Sequence, residues 1–239
     1  CNISGASNAG LMQFDDAIDS YKKALEIEPG YSEAYYNMGV TFKKKGNLDA
    51  SIESYKKALE IKSDYTEAYF NMGNTLRDKG DLEASIDSYK KALEIKPGYS
   101  EAYYNMGVTF KKKGDLDASI DSYKKALEIK PGYVEAYNNI GNTFRDRGDL
   151  EAAIDSYKKA LEIKPDYTEA KDNLISLMTS YIPQKENPNL IVKTNKEIRK
   201  IKIKGNISKI ISDEQVVNLF SRSEDCISSF GLELETKLS

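Results

Sequence analysis

The chain has 239 residues, 40% of them hydrophobic and 31% charged, and its 35 lysines and arginines against 38 acidic residues leave a net charge of -3. That balance gives no case for specific nucleic-acid or membrane binding, and no apolar run is long enough to span a bilayer. Histidine is absent and the only cysteines are Cys1 and Cys226, which removes histidine-based general bases, the commonest zinc ligand and any disulfide framework, and suits a reducing, cytoplasmic setting.

From the amino end, CNISGASNAG has neither the basic nor the apolar segment of a signal peptide. The chain starts without an initiator methionine and partway through a repeating pattern, so a fragment of a longer protein is the expectation. Residues 1–31 read as a worn leading repeat. Its second helix carries Phe14, Ala17, Ile18, Tyr21, Ala24, Leu25 and Ile27 at helical spacing and ends at Pro29. Its first helix is short and degenerate, with Gly5 at a close-approach position and Met12 where later copies have a turn glycine.

The stretch Ser32–Tyr65 recurs without gaps at Thr66–Tyr99, Ser100–Tyr133 and Val134–Tyr167, a period of 34 residues. In the first copy Tyr35, Met38, Gly39 and Phe42 share one face of a first helix, and Lys45-Gly46-Asn47 breaks it. Asp49 opens a second helix whose apolar face is Ile52, Tyr55, Ala58, Leu59 and Ile61. Pro97, Pro131 and Pro165 stop the second helix in three copies, and Ser63 holds that place in the other. A longer rhythm runs through the copies: the first and third read GVTFKKKG, the second and fourth GNTLRDKG and GNTFRDRG. Recent duplication of a two-repeat unit is favoured over a ligand of matching period.

Thr168–Ile182 starts as a further copy, but Lys171 replaces the packing tyrosine and Ile175 the close-approach glycine, so it reads as a capping helix. Residues 183–189 (PQKENPN) read as a linker. Residues 190–239 form a small C-terminal appendage that supports two readings near its start. One is a helix over Leu190–Ile201, with Pro188 at its first position. The other is a hairpin in Lys200–Ile211 around Gly205-Asn206. Its later part reads as a helix from Ser212, with Gln215 completing a capping box, to about Phe230. Its lysines and Arg199 make it locally basic, which reads as a solvated face, since aromatic interleaving is missing.

The repeating residues resemble the tetratricopeptide repeat (TPR) family. The match is position by position: aromatics at Tyr35, Tyr69, Tyr103 and Tyr137; glycines at Gly39, Gly73, Gly107 and Gly141; small residues at Ser51, Ser85, Ser119 and Ala153 and at Ala58, Ala92, Ala126 and Ala160. The resemblance implies an all-α fold, a right-handed superhelical solenoid of antiparallel helix pairs. One repeat cannot bury its apolar faces alone, and stacked neighbours create a continuous core. It also implies that the first helices of the pairs line a concave groove.

On those helices Asn37, Asn71, Asn105 and Asn139 recur, with Asn173 on the cap. A row of amides offers one donor and one acceptor per repeat and suits a grip on peptide backbone, resembling the asparagine ladder of O-GlcNAc transferase superhelices. A structural role, bonding neighbouring helices, stands equal to it. Beside the row lie Tyr36, Phe70, Tyr104 and Asn138, then Val40, Asn74, Val108 and Asn142. Lys43, Arg77, Lys111 and Arg145 make a cationic stripe, and Glu33, Glu67, Glu101, Glu135 and Glu169 an acidic one. Two opposed rims would orient an extended segment more than select its charge. Chaperone-binding members clamp acidic C-terminal tails with basic residues where this chain has Tyr36, Glu101 and Asn105, so tight binding of such tails is not expected.

The function these observations imply is a non-enzymatic scaffold that binds an extended peptide or partner helix, with no catalytic residue, metal or cofactor. Carboxylates sit on repeating helix surfaces and no glycine-rich phosphate loop occurs. Two alternatives stay open: a substrate-recruiting region of a longer glycosyl- or sulfotransferase whose catalytic domain lies beyond Ser239, and self-assembly through repeat edges.

Overall fold

The computed structural model describes residues 2–181, 201–204 and 233–236, with side chains from Gln13 to Met178. The helices among them are α1 (Asn2–Ile27), α2 (Ser32–Lys44), α3 (Leu48–Ile61), α4 (Thr66–Lys79), α5 (Leu82–Ile95), α6 (Ser100–Lys113), α7 (Leu116–Ile129), α8 (Val134–Arg147), α9 (Leu150–Ile163) and α10 (Thr168–Tyr181). Two strands follow, β1 (Ile201–Lys204) and β2 (Glu233–Thr236). The chain divides into two compact units, residues 1–131 with α1 to α7 and residues 132–239 with the remaining elements.

The predicted helix pairs form for local reasons. Gly46, Gly80, Gly114 and Gly148 hold φ values of 85°, 95°, 89° and 92°. This left-handed backbone is costly for residues with a Cβ, and it ends each first helix of a pair. The second helix is capped at once: Asn47 accepts from the Ala50 N–H at 3.1 Å, Asp81 from Ala84 at 3.3 Å and Asp115 from Ala118 at 3.1 Å. Asp149 departs from the pattern. Its carboxylate takes Nε of Arg147 at 2.8 Å and makes no cap bond to α9.

Inside each pair the close-approach glycine faces a tyrosine ring. A Cβ at Gly39 would lie 2.6 Å from Tyr55 Cε1, at Gly73 2.7 Å from Tyr89, at Gly107 2.7 Å from Tyr123 and at Gly141 2.5 Å from Tyr157. Those four tyrosines are among the largest fully buried side chains, each worth about 1.5–3 kcal/mol in surface removed from water. In the first unit α2–α3, α4–α5 and α6–α7 pack as pairs and stack through α3–α4 and α5–α6, the solenoid arrangement the repeat predicts. In the second unit α10 packs on α9 and buries Ala170, Leu174, Leu177 and Met178 beside Tyr157 and Leu161, with Ile175 partly buried.

Three details differ from the sequence reading. Residues 2–27 form one unbroken helix where two were expected. Met12 occupies the position of the left-handed glycines, and without a glycine there the helix runs through. Ile61, assigned to the core, is 43% exposed, and Ile27, Ile95, Ile129 and Ile163 are exposed with it. Each lies two residues beyond a leucine, about 200° further round the helix, and so turns outward. Finally, β1 falls inside the proposed hairpin but pairs antiparallel with β2, Ile201 opposite Thr236 and Lys204 opposite Glu233. The expected linker, the rest of the Leu190–Ile201 helix reading, the hairpin's return strand and the helix from Ser212 lie outside the described residues.

Candidate functional site

The face formed by α2, α4 and α6 in the first unit carries the asparagine row, and Asn37, Asn71 and Asn105 are all half-buried. Their carbonyls accept from the hydroxyls of Thr41, Thr75 and Thr109 one turn on, at 2.8, 2.9 and 2.9 Å. This bonding satisfies three buried threonines and leaves the amide side chains to find other partners.

Those partners alternate. Asn71 donates Nδ2–H to the Tyr36 hydroxyl at 2.8 Å, across the junction between α2 and α4. At the next junction the equivalent of Tyr36 is Phe70, which has no hydroxyl. Asn105 turns instead to donate to the Glu101 carbonyl at 2.9 Å and to accept from Arg77 Nη1 at 2.7 Å. The side-chain amide of Asn37 makes no hydrogen bond, and the carbonyl oxygen of the Asn71 side chain accepts none, among the described residues. Asn105 thus has its oxygen and one N–H engaged within the fold, while the side chain of Asn37 and the side-chain oxygen of Asn71 are open.

A turn further along, Asn74 accepts from the core Tyr89 hydroxyl at 2.7 Å. In the second unit Asn142 does the same for Tyr157 at 2.8 Å. These two asparagines satisfy a buried phenol, a task for which Val40 and Val108 offer no group. Also in the second unit, Asn138 is buried and accepts from Asn173 at 2.9 Å, and Asn139 has bonding partners of its own.

The aromatic positions are packed rather than free. Tyr36 lies 4.9 Å from the Tyr65 ring and 5.9 Å from Tyr55; Phe70 lies 4.8 Å from Tyr99 and 6.0 Å from Tyr89; Tyr104 lies 5.7 Å from Tyr123. Such tilted pairs fit the ring quadrupoles. Tyr65 and Tyr99 are additions to the site that the sequence reading passed over. The signal was present, since a tyrosine ends every copy, at Tyr31, Tyr65, Tyr99, Tyr133 and Tyr167. Burial, then the charges of Glu101 and Glu67 and the neighbouring Tyr36, push the Tyr99 phenol up to about 12. Tyr65 also rises to about 12, through burial first and then Tyr36, Glu33 and Glu67.

The cationic stripe is largely engaged. Lys43 pairs with Asp78 of the next first helix at 3.0 Å. Arg77 holds Asn105 and lies 3.8 Å from Asp78. Lys111 has a partner, and Arg145, in the second unit, lies 3.7 Å from Asp146. A further ladder ties repeats at the ends of these helices: Lys45 to Asp15, Lys79 to Asp49 at 2.5 Å and Lys113 to Glu83 at 2.7 Å. By contrast, Glu33, Glu67 and Glu101 make no ion pair among the described residues; Glu33 and Glu101 only accept from Ser32 and Ser100 at 3.1 Å. Among the described residues no group of side chains could hold a metal ion, and no helix is long and apolar enough to cross a membrane.

A 34-residue helix-pair repeat, a glycine set against a buried tyrosine in each pair, and first helices that expose amides on one face define a helical repeat array of the protein-interaction scaffold class. The chain belongs to the tetratricopeptide repeat family: a TPR repeat model matches residues 13–46, 41–76 and 73–114, and a tetratricopeptide repeat model matches 100–133 and 134–167. Among solved structures it is similar to MamA, at 32% identity over 69% of this chain and 96% of that one, with a TM-score of 0.62. MamA from Desulfovibrio magneticus RS-1 matches at 18% identity over 69% of this chain and 94% of that one, TM-score 0.61. YrrB, described as a TPR protein with an unusual peptide-binding site, matches at 24% identity over 71% of this chain and 85% of that one, TM-score 0.59; at these identities the last two speak for the fold. No curated protein matches the chain by sequence.

Proposed function

We propose that this chain is a non-enzymatic scaffold whose first unit holds an extended peptide along the face of α2, α4 and α6. The observation that carries the reading is the unspent capacity of Asn37 and of the Asn71 side-chain oxygen on a half-buried face where the neighbouring amides Asn74 and Asn105 are bonded within the fold. Neither amide is among the buried side-chain atoms without a partner, so both are open to solvent, and two neighbouring amides open on one face suit a partner that brings its own N–H and C=O groups. A peptide backbone does so in any sequence. Within this reading Asn74 and Asn105 maintain the face, and Tyr36 and Phe70 form its floor. The single Asn105 position offers a peptide less, because its oxygen and one of its two N–H groups are used inside the array.

The test is a peptide-display selection on the purified chain, repeated with the double variant Asn37→Ala/Asn71→Ala. Selected peptides should lose about tenfold or more in affinity, or about 1.4 kcal/mol, on a variant whose helical circular dichroism is unchanged. Equal affinity for both proteins would remove the amides from the site.

A further inference from the structure

From Gln13 onward, helix α1 stands in the place of a second helix of a pair. It packs on α2 and buries Ile18, as α3 packs on α4 in the following copy. Its neighbouring face is open. Ala17, Tyr21 and Ala24 are only half-buried, while their counterparts one copy on, Ser51, Tyr55 and Ala58, are at most 1% exposed.

The later copies show what closes this face. Each brings up its own first helix and sets a glycine against the tyrosine ring, the glycine always standing 16 residues ahead of it, from Gly39 and Tyr55 to Gly141 and Tyr157. Gly5 keeps that spacing to Tyr21, but α1 does not turn back at Met12; it runs unbroken from Asn2 to Ile27. Along one straight helix a separation of 16 residues ends about 160° away, so Gly5 falls on the far side from Tyr21. Gly10, 11 residues ahead of Tyr21, comes round to within about 20° of it. A straight helix cannot cover its own face, so the first half of α1 reaches a Tyr21 face only in another molecule.

We propose that two copies of this chain pair through α1, antiparallel about a two-fold axis, with Gly10 of each against Tyr21 of the other. Each first half then supplies the helix that the other copy's open face lacks. In this register Phe14 of one copy meets Ala17 of the other, so a large residue faces a small one at both contacts, the condition for interdigitated packing. Residues 2–12 carry no charged side chain, and no ionised group is desolvated when they enter the seam. The same patch meets itself, so the assembly closes at two copies. The face of α2, α4 and α6 takes no part in the pairing, which is independent of peptide binding.

The experiment is sedimentation equilibrium of the whole chain, 26.8 kDa, from low to high micromolar concentration, beside the variants Gly10→Glu and Gly5→Glu. Both variants add one charge and a better helix former to the same half of α1, so they differ in the face they alter. The unaltered chain and Gly5→Glu sediment at twice the monomer mass, and the dimer of Gly10→Glu dissociates about tenfold or more readily. A monomer at every concentration overturns the inference. A mass that keeps growing with concentration, the mark of head-to-tail contacts, overturns it as well. So does equal behaviour of the two variants, or dissociation by Gly5→Glu in place of Gly10→Glu, which would mean that residues 2–12 turn back at Met12 and set Gly5 against Tyr21.

Discussion

The junction between α2 and α4 and the junction between α4 and α6 use one backbone arrangement and two chemistries. At the first, Tyr36 accepts from Asn71 and Lys43 pairs with Asp78. At the second, Arg77 donates to Asn105, and Lys112 donates to the Arg77 carbonyl at 3.1 Å. Beneath both lies the same glycine against the same buried tyrosine. The two-repeat rhythm read as duplication therefore has a physical expression. The core is held constant, and the polar bonds that tie neighbours are exchanged as sets.

Because the two junctions share a core, damage there should be largest and equal. Gly73→Leu and Gly107→Leu each drive atoms into a tyrosine ring already 2.7 Å from the implied Cβ; overpacking of this kind costs about 1–3 kcal/mol. Urea unfolding of both variants reads it, and near-native stability in either would contradict the helix packing.

Alkaline pH should then loosen both junctions together. The Tyr65 and Tyr99 phenols, one stacked on Tyr36 and one on Phe70, rise from an ordinary value of 10 to about 12 when folded. The folded state holds its protons longer than the unfolded chain, so the stability they contribute is complete below pH 10 and is lost as pH rises from 10 through 12. The urea midpoint should fall across that window, and Tyr65→Phe/Tyr99→Phe should flatten the fall.

Breaking the polar sets separates the junctions. Arg77→Met removes the charged donor from the Asn105 oxygen, with an expected loss of about 1–2 kcal/mol. Tyr36→Phe removes a neutral bond from Asn71 and should cost about 0.5–1 kcal/mol. The reverse order in denaturation experiments would mean that the second junction is not the more polar of the two. The smallest effect belongs to Lys43→Met. Its ion pair with Asp78 has side chains 30% and 42% exposed, so it should cost at most about 1 kcal/mol and vanish in high salt.

Most of the fold was legible because its determinants are local and repeat. Left-handed glycines, cap residues and helical spacing fix the elements, and the Gly39–Tyr55 type of contact links two positions within one copy. The exceptions are equally local. Met12 fuses two expected helices by lacking a glycine's freedom, and Ile61 lies outside the core because position on a helix outweighs apolar character. The candidate face was only half legible. The spacing places Asn37, Asn71 and Asn105 on equivalent turns, but which of them is satisfied depends on a hydroxyl present in Tyr36 and absent in Phe70, and on the reach of Arg77. Likewise the two charged stripes are readable as rows, while the pairing of Lys43 with Asp78 depends on how consecutive helices are set against each other. The pairing of β1 with β2 joins segments without any periodic signal.

The side-chain bonds that tie repeats of the first unit together reach between 28 and 35 residues along the chain. During synthesis at about 5–20 residues per second, a stretch of that length is added in roughly 1–7 s. Each junction thus finds its complete set of partners as soon as one more helix pair emerges. A growing chain exposes one open edge at a time and never waits for a distant segment to close its core.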